Sequence, residues 1–119
     1  MSTQLDIINK FVSVLSNYSI NFNDEKDLQE SIFKIMKNYF SDIKKEYPLE
    51  PYGIVDFFIK GVAIEVKIKG QKAKIYRQCR DYCKHQEVSH LLLVSTNPLS
   101  LPEVVEGKRC YTYQIRNIF

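Results

Sequence analysis

Two runs of β-branched and aromatic residues, Ile54 to Ile59 and Val62 to Val66, flank the dipeptide Lys60-Gly61, a pattern that leaves little choice but a tight antiparallel hairpin. A two-residue turn with glycine free to take positive φ fixes the register, so Ile59 faces Val62, Phe58 faces Ala63 and Asp56 faces Glu65. Like charges opposed across a sheet are unfavourable, and these strands are otherwise apolar enough to be core, so something positive is expected between the two acids. Lys67, two residues beyond Glu65, projects from the same face because strand side chains repeat with period two. Two hard oxygen ligands beside an ammonium at a sheet edge suit a divalent cation of the Mg2+ type, which keeps waters and meets a phosphate.

The flanking segments read as helices. Downstream, Gln71 to Gln86 carries Ile75, Cys79, Tyr82 and Cys83 at helical spacing, with Gln78 and Tyr82 on adjoining turns leaning toward one end of the sheet. An amide there can orient a water or a phosphate, and a phenol can stack or donate. Upstream, Asn23 is a good N-cap, and Asp24, Glu25 and Asp27 crowd a first turn whose dipole favours anions. Leu28, Ile32, Ile35, Met36, Tyr39, Phe40 and Ile43 then form one apolar stripe, with Glu25 near its centre and Glu30 on the opposite side. An acid on a buried stripe needs a partner.

The hairpin resembles the active-site core of the PD-(D/E)xK phosphodiesterase superfamily, which includes restriction enzymes, Holliday-junction resolvases and phage or CRISPR-associated nucleases. In that pattern an Asp on one strand is followed on the next by Glu-x-Lys, here Asp56 and Glu65-Val66-Lys67, with Val55 in place of the usual proline. Gln78-x-x-x-Tyr82 is similar to an additional motif of the RecB-type and CRISPR-adaptation exonucleases. The resemblance covers residues 23 to 115 and implies a restriction-endonuclease-like α/β fold, a mixed sheet flanked by helices in the order α-α-β-β-β-α-β-β. It implies a DNA nuclease, an endonuclease of the resolvase kind, that hydrolyses phosphodiester bonds through a water activated by Mg2+ or Mn2+, with no organic cofactor. Asp56, Glu65 and the Val66 carbonyl are then the expected metal ligands, and Glu25 completes the outer shell through water. Lys67 steadies the attacking water, and Gln78 and Tyr82 position the substrate.

Charge supports a nucleic-acid partner. From Lys67 to Lys84 there are seven bases, Lys67, Lys69, Lys72, Lys74, Arg77, Arg80 and Lys84, against the single acid Asp81, whereas the whole chain carries only +3. Lys69, Lys72, Lys74 and Arg77 are the expected DNA contacts, and Arg80 and Lys84 belong to a solvated face.

At 119 residues with 45% hydrophobic content, residues 1–119 are expected to form one domain around one core. The longest apolar run, Leu91 to Val94, is far too short for a membrane, and the N-terminus lacks a signal-peptide pattern. Three cysteines without CxxC spacing suggest reduced thiols in a cytosol, and the resemblance implies a bacterial, archaeal or viral protein acting in the host cytoplasm.

The expected elements are an extra amphipathic helix from Thr3 to Tyr18 using Leu5, Ile8, Phe11, Val12 and Leu15, a strand near Lys45 to Leu49, the hairpin, a buried strand over Ser89 to Thr96 and a last edge strand over Arg109 to Ile115. Two-fold substrates suit a homodimer, formed through the first helix or through tyrosines exposed on the last strand. Two other readings stay open: a nuclease fold that binds nucleic acid without turnover, and a subunit of a larger processing or defence complex.

Overall fold

Thr3 opens the first helix, α1 (Gln4–Ser16), with a capping box: its hydroxyl accepts from the Asp6 N–H at 3.2 Å while Asp6 accepts from the Thr3 N–H at 3.1 Å. The computed structural model describes residues 3 to 116. Ile7, Ile8, Phe11 and Leu15 form the buried stripe of α1. Leu5, expected in that stripe, is 45% exposed, because at about 100° per residue it falls well to one side of it.

The second helix, α2 (Glu25–Met36), is capped by Asp24, whose carboxylate accepts from the Asp27 N–H at 2.8 Å. Asn23, the expected cap, instead donates its backbone N–H to the Asp27 carboxylate. The expected stripe outruns this helix. After Met36 the chain closes through shorter backbone bonds such as Tyr39 N–H to the Met36 carbonyl, and the Asn38 amide covers the Lys34 carbonyl, so Tyr39 turns outward while Phe40 still packs inward.

Among the described residues six strands and a third helix follow: β1 (Lys44–Pro48), β2 (Ile54–Ile59), β3 (Val62–Lys67), α3 (Lys72–Cys83), β4 (His90–Ser95), β5 (Val104–Val105) and β6 (Lys108–Gln114). They form one mixed sheet in the order β1-β2-β3-β4-β6-β5. The β1/β2, β2/β3 and β5/β6 pairs are antiparallel, and β4 runs parallel to both β3 and β6. Parallel pairing of β3 with β4 follows from the helix between them, which returns the chain to the same end of the sheet.

One expectation fails at the sheet's edge. Val104-Val105 pair with Lys108-Arg109 across the Glu106-Gly107 turn, so a short strand lies outside β6 and the last strand of the chain is not the last of the sheet. Tyr111 and Tyr113 are half-buried against the core rather than exposed.

The sheet is covered on both faces. On one, α1 and α2 bury Phe11, Leu28, Ile32 and Met36 against Phe57, Ile64, Val66 and Val94; on the other, α3 buries Ile75, Cys79, Tyr82 and Cys83 against Ala63, Leu91 and Leu93. Phe11, Leu28, Ile32 and Met36 are each 0% exposed and contribute roughly 1.5–3 kcal/mol apiece. Cys79, Cys83 and Cys110 are free and buried, small apolar side chains of the α3 layer. Among the described residues no helix is long and apolar enough to cross a membrane.

Candidate active site

The hairpin keeps its expected register as far as the acids and there comes apart. Ile59 pairs with Val62, Phe58 with Ala63 and Phe57 with Ile64, but at the next position the backbones are bridged by side chains. The Asp56 N–H donates to Glu65 Oε1 at 3.2 Å, and the Val66 N–H donates to Asp56 Oδ2 at 2.7 Å. Each carboxylate thus accepts a backbone N–H from the opposite strand.

Asp56 also sits at a change of face. Val55 packs in the α3-side core and Phe57 in the α2-side core, although strict alternation would put residues two apart together. The neighbouring strand makes the same change: Lys45 lies over Phe33 of α2, whereas Tyr47 stacks on Phe58 of the α3 side. Between them Glu46 takes φ +51, opposite Asp56 in a register that pairs Lys45 with Phe57 and Tyr47 with Val55. A left-handed conformation is costly for glutamate, and here it accompanies the twist that turns Asp56 toward the α2 side.

Glu65 lies on the other side of this fork, 2% exposed. Lys67 Nζ is 3.4 Å from Glu65 Oε2, the cation expected from the sequence. The Tyr82 hydroxyl has one proton and two acceptors, the Ile54 carbonyl at 2.8 Å and Glu65 Oε2 at 3.3 Å, and it receives the Gln78 amide at 3.0 Å. Gln78 and Tyr82 therefore meet, as their spacing predicts. Tyr82, however, is buried behind Glu65, where it orients the carboxyl and has no surface to offer a nucleic acid.

The electrostatics of the pair follow from this enclosure. Burial, then the Asp56 charge, push the Glu65 carboxyl up to about 8 against the pull of Lys67. Burial also raises Asp56, with the Val66 N–H and Lys67 opposing it. Burial and the nearby Glu65 raise the Tyr82 phenol, which stays protonated. A proton on Glu65 relieves both the repulsion from Asp56 and the competition for the Tyr82 hydrogen.

Glu25 reaches the same place from α2. Half-buried at the helix start, it accepts the Ile68 N–H at 3.1 Å, and the Ile68 carbonyl accepts the Asn97 amide at 2.7 Å, so the chain leaving β3 is tied on both sides. Asp56, Glu25 and Lys67 line an open cleft of about 940 Å3 between α2 and the forked strands. Glu30, expected on the far side of α2, is on the wall of this cleft, and Glu46 adds another acid.

The cations of the cleft come from four places in the chain: Lys26 on α2, Lys45 on β1, Lys67 on β3 and Lys69 just beyond it. Lys69 was expected. Lys72, Lys74 and Arg77 are exposed on α3 but lie outside the cleft's lining. Arg80 and Lys84 pair with Asp81 at 3.6 and 3.4 Å.

Lys26, Lys45, Glu46 and Phe33 escape sequence reasoning. The first three depend on strand register and helix packing, which local pattern does not give. Phe33 does leave a signal, a large aromatic ring standing off the Leu28-Ile32-Met36 stripe of its helix.

Among the described residues, no group of three or more His, Cys, Asp or Glu side chains is close enough to hold a metal ion unaided. The donors present still suit a Mg2+-type ion. Glu65 is a buried and Asp56 a half-buried carboxylate whose mutual repulsion a dication would relieve, and such ions take one or two protein carboxylates and keep waters for the rest. Comparison with protein-family models, curated proteins and solved structures finds no match for this chain.

Proposed function

We propose that the chain is a Mg2+- or Mn2+-dependent nuclease with a restriction-endonuclease-like core, cutting DNA as an endonuclease of the resolvase kind. The observation that carries this reading is the fork, where Asp56 and Glu65 meet beside Lys67 at the wall of a cleft that also holds Glu25 and three further lysines.

In this reading Asp56, Glu65 and the Val66 carbonyl hold the cation, and Glu25, steadied by the Ile68 amide, serves the outer shell through water. The bound cation supplies Lewis acidity toward a phosphate oxygen. Lys67 offers its ammonium to the attacking water or to the charge that develops on the phosphoryl oxygens. Tyr82 and Gln78 fix the orientation of Glu65 from behind. Lys26, Lys45 and Lys69 hold the phosphates on either side of the one being cut, with Lys72, Lys74 and Arg77 as outlying contacts.

A cleavage panel of linear, single-stranded, flapped and four-way-junction DNA with Mg2+ or Mn2+ tests the reading. Asp56→Asn and Glu65→Gln remove the repulsion, so both should fold at least as stably as wild type without metal and should abolish cleavage and Mn2+ binding by calorimetry. Wild-type rates in both variants would sink the assignment.

A second reading is favoured by the amide bonds themselves. Each of the three acids already holds a backbone N–H, an arrangement that also serves a protein binding DNA without cutting it. DNA binding with neither cleavage nor Mn2+ heat would select it.

A further inference from the structure

Phe33 and, behind it, the buried Phe57 are the aromatic rings that line the cleft among its charges, and Phe33 is mounted in an unusual way. Its ring is stacked on Phe57 with the planes within 5° and the centroids 6.1 Å apart, so its tilt is fixed by the core strand beneath. Two ammonium groups attend it, Lys45 Nζ at 5.1 Å and Lys37 Nζ at 5.5 Å from the centroid. Lys45 lines the same cleft as Asp56, Glu25 and Lys67. Both lysines are exposed, whereas Phe33 is half-buried.

Two cations held over a ring at exposed sites gain only about 0.5–1 kcal/mol each, less than a lysine gains by meeting a phosphate and a ring gains by meeting a base. An arriving nucleotide therefore has reason to exchange partners with this cluster: phosphates take the ammonium groups, and the ring is left for a base. Bases inside a duplex are stacked on each other and offer no face. An unpaired base offers one.

We propose that Phe33 is a stacking platform for an unpaired DNA base next to the phosphate held at the fork, with Lys45 and Lys37 turning from the ring to the backbone of that strand. The substrate class is then DNA with at least one unpaired nucleotide at the cleft: a single strand, a flap or the open point of a branch. This inference rests on the nuclease reading for the placement of the phosphate, but the stacking is measured by binding alone, without turnover.

The experiment uses the full chain in EDTA with three DNAs of equal length: a single strand carrying 2-aminopurine at successive positions, the same strand with an abasic site there, and the perfect duplex. Binding should quench 2-aminopurine at one position, and the intact single strand should bind more tightly than the abasic strand or the duplex. Phe33→Leu should lose roughly tenfold in single-strand affinity with an unchanged salt slope, and Phe33→Tyr, which keeps the ring, should restore most of it. Lys45→Met should make the salt slope shallower by about one unit. Circular dichroism checks that the variants fold, and the quenching of wild type decides the matter if Phe33→Leu does not. Equal affinity for all three DNAs with no quenching would overturn the platform while leaving cleavage untouched. Failure to bind or cut any DNA would instead overturn the nuclease reading on which it rests.

Discussion

Glu65 concentrates the energetics of the fork in one carboxyl. Its ordinary value of 4.5 is raised to about 8, so between those pH values the folded chain holds a proton that the unfolded chain has released. Stability from this group is fully present below pH 4.5 and is lost as pH rises toward 8, at up to about 1.4 kcal/mol per pH unit for one proton. Asp56, shifted in the same direction, adds to the fall. Urea unfolding without metal should therefore show a lower midpoint at pH 8 than at pH 5, and Glu65→Gln should remove most of that difference. If the fork takes a dication, millimolar Mg2+ should also flatten the dependence, because the ion binds the deprotonated pair and displaces the proton. An unchanged midpoint in metal-free wild type would show that Glu65 titrates as an ordinary surface acid.

At the level of elements, two backbone positions around the fork should respond with opposite sign. Gly53 leads into β2 at φ +120, and a Cβ there would stand 3.5 Å from the Tyr82 ring, an ordinary contact. Gly53→Ala should still cost about 1 kcal/mol or more, because the backbone and not the space excludes a side chain. Glu46 at φ +51 is the reverse case, and Glu46→Gly should be neutral or stabilising by up to about 1 kcal/mol. Chemical denaturation of both variants checks the pair. These positions also mark where local pattern stops being readable. Ile75, Cys79, Tyr82 and Cys83 of α3 are buried as their spacing predicts, and the hairpin pairs as Lys60-Gly61 dictates. The first follows from the period of one helix and the second from the turn that joins two adjacent strands. Glu46 became visible only when β1 took its place beside β2, a register that nothing within Lys44–Pro48 specifies. Likewise β5 is two residues long, too short to show a period, and exists because Gly107 lets the chain turn back at φ +76. Asp56, Glu65, Lys67 and Glu25 were legible because each lies on a strongly patterned segment; Lys45 and Glu46 of the cleft come from β1, a segment whose spatial neighbours on α2 and β2 are set by packing and register.

For the molecule as a whole, the nuclease proposal carries an expectation about assembly. One chain offers one fork, and cutting both strands of a two-fold DNA branch needs two. Light scattering at micromolar concentration should report about twice the 14.0 kDa of the chain, with Leu5, 45% exposed on α1, as the residue whose change to Lys should shift the mass downward. A 14.0 kDa particle that cuts both strands would exclude paired sites. The amides of the fork have a use of another kind. Those of Asp56, Val66 and Ile68 donate to Glu65, Asp56 and Glu25, so each acid of the site is coupled to one backbone resonance. In an NMR spectrum those three signals are internal meters for the three carboxyls, reporting proton, ion and phosphate at the residue where each arrives, with no label added to the cleft.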